Sequence, residues 1–231
     1  MSNTSGNAYG LTALCPIING CKDDTSYSAI LRDYLHALPL DRFSPMAKVP
    51  NTYLARFYVL SDVFYQGHPA REEHLQSQYL VFSSNFYGDL DSYLYDMWQH
   101  AEGEVKKIWQ HCVAFDEVSN ADQFIEYVKK CQIDNQLFFN GSNDLSLKAQ
   151  LKSLFLKQEF SRFVYANQGK PAHEIQKLFR EFERAIDIDN LSSPSWSAGA
   201  SSLEEVATTA HIYSQNSASS VAENKPSLET E

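Results

Sequence analysis

The chain predicts an α+β domain, one antiparallel sheet with helices on one face and further helices after it. Three observations carry this. Residues 53–60 and 79–87 are dense in aromatic and β-branched types and too short for helices. Apolar residues recur at helical spacing in the runs around them, most of which open on a capping residue. Residues 116–190 then read mostly as helix.

Residues 1–9 are small and polar and read as a disordered N-terminus. Residues 11–18 form the first predicted strand, with Pro16 marking an edge, a bulge or its last turn, and Asn19-Gly20 closing it. Ser26 caps a helix whose inner face is Ile30, Leu31, Tyr34, Leu35 and Leu38, and Pro39 ends it. After a connection at 45–50 comes the strand at 53–60. Residues 66–78 are a polar connection with a helical turn at 70–75.

The run from Tyr79 to Asp91 organises the rest. Alternation puts Leu80, Phe82, Ser84 and Phe86 on one side and Tyr79, Val81, Ser83 and Asn85 on the other, which turns polar toward its end. Gly88 bends the chain, Asp89 caps a helix, and Leu90, Leu94, Met97 and Trp98 form its inner stripe. Residues 108–115 fit neither period cleanly, and a strand is expected at 111–115. Ser119 or Asn120 caps a helix over 121–131, and residues 137–139 are a short strand or a packed loop. A helix follows from Asp144 to about residue 167. Pro171 starts the last one, with Ile175, Leu178, Phe179, Phe182 and Ile186 inward. Residues 191–231 carry few large apolar side chains and read as a disordered tail; within it Ser202 and Glu205 are spaced as the capping box of a brief helix at 202–211. The organisation is one domain over 10–190, divided into 10–115 and a mostly helical extension at 116–190.

With 231 residues, 43% of them hydrophobic, the chain suffices for one good core. A formal charge of -10 opposes a phosphate-neutralising surface, so nucleic acid is not an expected partner. No apolar run approaches the roughly 20 residues that span a bilayer, and the start lacks the marks of a signal peptide; a cytoplasmic protein without a membrane partner is expected. Cys15, Cys21, Cys112 and Cys131 are irregularly spaced and read as free thiols, with no close pair to hold a metal. Only 9 glycines are present and no phosphate-binding glycine motif occurs.

Over residues 10–115 the predicted order is strand, helix, strand, strand, helix, strand, that of the ferredoxin-like unit. With the stretches at 53–60 and 79–91, it resembles the dimeric α+β barrel superfamily. The resemblance implies a homodimer, or one duplicated chain, whose sheets close over a pocket on the open sheet face. Small oxygenases, isomerases and haem proteins share that scaffold. No stretch matches their catalytic motifs, so none of their residues is carried over.

Arg56, among apolar neighbours on its strand, needs a carboxylate such as Asp62, Asp89 or Asp91, or else a bound anion. Ser83, Ser84 and Asn85 beside a helix start suit ligand binding or plain turn chemistry. No Gly-x-Ser-x-Gly surrounds Ser83, which argues against a hydrolase elbow. His111 is the acid/base candidate and, if it lines a pocket, a haem ligand. Asp89 and Asp91 are explained by the helix start itself. The sequence therefore points to a binding protein for a small apolar or aromatic ligand on the open sheet face, oxidoreductase-like if haem is held, with Arg56, Ser83 and Asn85 orienting the ligand and His111 catalytic. Its rival is a non-catalytic dimerisation or accessory module.

Overall fold

The computed structural model describes residues 3–63, 67–68, 73–142 and 144–201. Four strands, β1 (Thr4–Ser5), β2 (Ala8–Pro16), β5 (Thr52–Leu60) and β6 (Tyr79–Tyr87), form an antiparallel sheet in the order β1-β2-β6-β5. Helix α1 (Tyr27–Ala37) connects β2 to β5, and β6 lies between them, antiparallel to both. This is a split β-α-β unit, the arrangement expected for the first three long strands. A small hairpin, β3 (Cys21–Lys22) with β4 (Thr25–Ser26), precedes α1 and turns through Asp23 and Asp24 at φ 50° and 64°. Aspartate tolerates this left-handed region better than most side chains.

The period of two decides which side of the sheet is buried. Leu80, Phe82, Ser84 and Phe86 of β6 and Leu11, Ala13 and Cys15 of β2 face α1, α2 (Leu90–Trp109) and α3 (Ala121–Cys131), all within 1% of full burial. Trp109 stands at the centre, edge-on to Phe57, Phe82 and Phe124 with centroids 5.7, 5.5 and 5.4 Å away. Side-chain oxygens cap the helices as the sequence predicts: Ser26 accepts from Ala29 N at 3.2 Å, Asp89 from Ser92 N at 2.9 Å and Asn120 from Gln123 N at 2.9 Å. Helix α4 (Leu147–Ala166) is capped by Ser146, two residues after the expected Asp144, and α5 (Ala172–Ile186) follows Pro171. These last two helices pack antiparallel, with Lys152 level with Ile186 and Phe163 level with Phe179.

Three expectations are corrected. Residues 111–115 form no strand: α2 runs on to Trp109 because Val105, Ile108 and Trp109 continue one helical stripe, all within 2% of full burial. Ala114 then turns at φ 60° into a 3₁₀ turn, Phe115–Glu117. Among the described residues, the place beside β2 that a fourth long strand would take holds β1 and two single bridges, Ile17–Cys112 and Ala13–Gln132. Of residues 1–9, those described are ordered: β1 pairs with β2, and buried Asn3 donates to Asp134 at 3.1 Å and accepts from Asn135 N at 2.7 Å. Of residues 191–201, most are exposed, but part of the segment is held against the domain: Lys152 bonds the Pro194 carbonyl at 2.8 Å, and Gly199 lies so close to Asp41 that a Cβ would stand 2.9 Å from its carbonyl oxygen. Residues 137–139 are a loop in which Phe138 packs on Gly10 while Leu137 and Phe139 are exposed. Of the helical turn expected at 70–75, residues 70–72 lie outside the described residues and residues 73–75 are not helical; the helix at 202–211 lies wholly outside them.

Candidate functional site

The register places three predicted ligand-binding residues together. Arg56 pairs with Ser83, which pairs with Thr12 on its other side; Asn85 lies two residues on, between Leu54 and Gly10. All project from the face away from the helices. None of the carboxylates considered for Arg56 reaches it. Asp62 bonds His74 at 2.7 Å, Asp89 caps α2, and Asp91 pairs with Lys129 at 2.6 Å. Arg56 is exposed and forms no ion pair among the described residues.

A loop covers one end of this face. The Phe138 ring lies on Gly10, 2.7 Å from where a Cβ would stand, and Asn135 donates to the Gly10 carbonyl at 2.8 Å. Tyr53 donates to the Leu145 carbonyl at 2.6 Å. Beyond the loop Leu54 and Tyr58 remain 45% and 51% exposed, so Arg56, Ser83 and Asn85 belong to an open patch.

His111 does not join them. Its carbonyl accepts from Ile18 N at 2.9 Å, and Ile18 is six residues beyond Thr12, up to about 20 Å away at roughly 3.3 Å per residue. The imidazole stacks on Tyr27, centroids 4.4 Å apart and planes 12° from parallel. Burial, with Lys22 nearby, holds its pKa below the ordinary value. One ring face is thus occupied by an aromatic neighbour, and the large cavity described next has no histidine in its lining.

That cavity, about 1210 Å³, lies between α4 and α5. Leu154 and Phe163 line it from α4, Leu178, Phe182 and Ala185 from α5, and Trp196 from the segment beyond, with Lys157 and Glu181 among its polar members. Phe163 meets Phe182 with centroids 4.9 Å apart. The segment bearing Trp196 is held by Lys152, whose ammonium donates to the carbonyls of Ile186 and Pro194 at 2.7 and 2.8 Å. Burial lowers the Lys152 pKa, opposed by Asp187. Trp196 Nε1 is buried without a hydrogen-bond partner among the described residues. A buried N–H in that state costs about 1–3 kcal/mol.

Sequence reasoning missed this site. Lys152 falls in helical phase with Phe155 and Glu159, all three buried, and a lysine on a buried stripe is a legible anomaly. Trp196, a large apolar side chain in a tail otherwise poor in them, is a second.

Among the described residues no helix is long and apolar enough to cross a membrane, and no group of three His, Cys, Asp or Glu side chains is placed to hold a metal ion. No protein-family model, no curated protein and no solved structure matches the chain.

Proposed function

We propose that the protein binds an apolar ligand in the cavity between α4 and α5. The observation that carries this reading is the cavity itself, lined mainly by hydrocarbon and aromatic rings, with Phe163, Phe182 and Trp196 among them. Binding sites of this kind are apolar with few, well-placed polar groups, and occupy roughly 300–1,000 Å³ for drug-sized ligands. A cavity of about 1210 Å³ suits a somewhat larger or elongated molecule.

The test uses 1-anilinonaphthalene-8-sulfonate, an apolar fluorophore with an acceptor group, titrated into the full chain. Saturable binding near one equivalent is expected, weakened at least severalfold by Leu178→Glu and unchanged by Tyr58→Glu. No saturable binding, or loss only in Tyr58→Glu, overturns the proposal.

A second reading, a module that associates with its own copy through the open sheet face, is favoured by the exposure of Leu54 and Tyr58 beside Arg56. Sedimentation velocity separates the two. A dimer dissociated by Tyr58→Glu supports it, and a monomer at all concentrations removes it.

A further inference from the structure

The cavity between α4 and α5 lies in a basic part of an acidic chain. Residues 147–186 hold eight lysines and arginines against four carboxylates, a net +4, whereas the whole chain carries a formal charge of -10, so the residues outside them carry -14. A local excess of one sign favours a ligand of the other.

Three charged side chains line the cavity, Lys157, Arg162 and Glu181, and they are not equivalent. Arg162 pairs at 3.0 Å with Glu159, a carboxylate only 1% exposed, so its charge is committed to a buried partner. Lys157 and Glu181 form no ion pair among the described residues. Glu181 nevertheless has Lys177 and Arg184 beside it on α5, at the spacings where helical side chains are neighbours, and they offset its charge. The same positions around Lys157 are Ser153, Leu154, Phe160 and Ser161, none of them acidic. The uncompensated charge of the lining is therefore that of Lys157. This lysine is exposed while it lines the cavity, which puts a cation where the cavity meets water.

The apolar part of the cavity is long. Its wall runs from Leu154 to Ala166, about 18 Å along α4 at roughly 1.5 Å per residue. Lys157 stands one turn from the start of that wall, and Phe163, Leu178 and Phe182 line the stretch beyond it.

On the reading that this cavity binds an apolar ligand, we infer that the ligand is a single-chain anionic amphiphile of the fatty-carboxylate class, its head beside Lys157 and its chain along Phe163, Leu178 and Phe182. Burial of the chain supplies affinity. The head, paired with an exposed ammonium, keeps its outer side in water and sets the preference among chains of equal length.

The test displaces N-phenyl-1-naphthylamine, an uncharged apolar fluorophore, from the full chain at neutral pH with decanoate, 1-decanol and decyltrimethylammonium, which share one alkyl chain. Decanoate is expected to act at concentrations roughly threefold lower than the alcohol, as an ion pair open to solvent allows, and lower still than the ammonium. The preference should shrink as salt is raised and be lost in Lys157→Gln. Because it is a ratio measured within one protein, a general loss of affinity in the variant leaves it readable. Equal displacement by all three, preference for the ammonium, or a decanoate preference that survives Lys157→Gln overturns the inference and leaves apolar binding in the cavity standing. Absence of saturable N-phenyl-1-naphthylamine binding overturns both.

Discussion

The Lys152 ammonium donates to the Ile186 carbonyl at 2.7 Å, across 34 residues of sequence, and so clamps the end of α5 to α4. A cation at a helix C-terminus faces carbonyls with no intrahelical partner and the negative end of the dipole. The same ammonium holds Pro194, two residues before Trp196, so the cavity wall depends on it.

Lys152→Met keeps the apolar stem and removes the donors. Two carbonyls lose their partner, and a loss of about 1–3 kcal/mol in unfolding free energy is expected. Urea unfolding measures it, and Trp196 emission should shift to the red as the segment loosens. An unchanged midpoint and spectrum would show that the clamp contributes nothing.

Beneath the sheet, the Tyr93 hydroxyl lies 2.7 Å from Ser84 Oγ and accepts from Thr52 at 3.3 Å, while Ser84 also bonds the Leu54 carbonyl at 3.0 Å. Burial pushes the Tyr93 pKa up to about 12, so the phenol stays protonated and donates. Tyr93→Phe is expected to cost about 1 kcal/mol, because Ser84 retains its other partner. A double-mutant cycle with Ser84→Ala should give a coupling of at least about 0.5 kcal/mol, and additive losses would count against a connected network.

The elements most legible in the sequence are those whose own residues decide them. Ser26, Asp89 and Asn120 cap their helices by local chemistry, and the alternation through β6 fixes which of its side chains are buried. The strand expected at 111–115 does not form because the buried stripe of α2 runs through Val105 and Ile108 to Trp109, and Phe115 then turns in against Phe124 and Tyr127 of α3. Arg56, Ser83 and Asn85 share a face, as a period of two requires. That this face stays open while a cavity forms between α4 and α5 depends on contacts such as Phe138 on Gly10 and Lys152 on Pro194, which no local pattern encodes.

Substitutions on opposite faces of neighbouring strands should separate stability from surface chemistry. Phe82 is fully buried and stacks on Phe57 with centroids 4.6 Å apart, so Phe82→Ala should cost about 3–5 kcal/mol. Arg56→Ala, on the solvent side of β5, should stay within about 0.5 kcal/mol. Denaturant midpoints measured at constant slope decide both. A large loss at Arg56 would mean that the open face is covered in solution.

His111 provides a pH dependence of known sign. Burial and Lys22 hold its folded pKa below the ordinary 6.5, so between those two values the unfolded chain binds more protons than the folded one. Stability from this group is complete above pH 6.5 and falls as pH drops through the folded pKa, levelling off below both. His111→Phe preserves an aromatic partner for Tyr27 and removes the titration. Urea midpoints taken from pH 7.5 down to pH 5 should therefore fall more steeply for the wild type than for the variant. Parallel profiles would mean that the imidazole takes up its proton as easily in the folded chain as in the unfolded one, and that the stack on Tyr27 does not shield it.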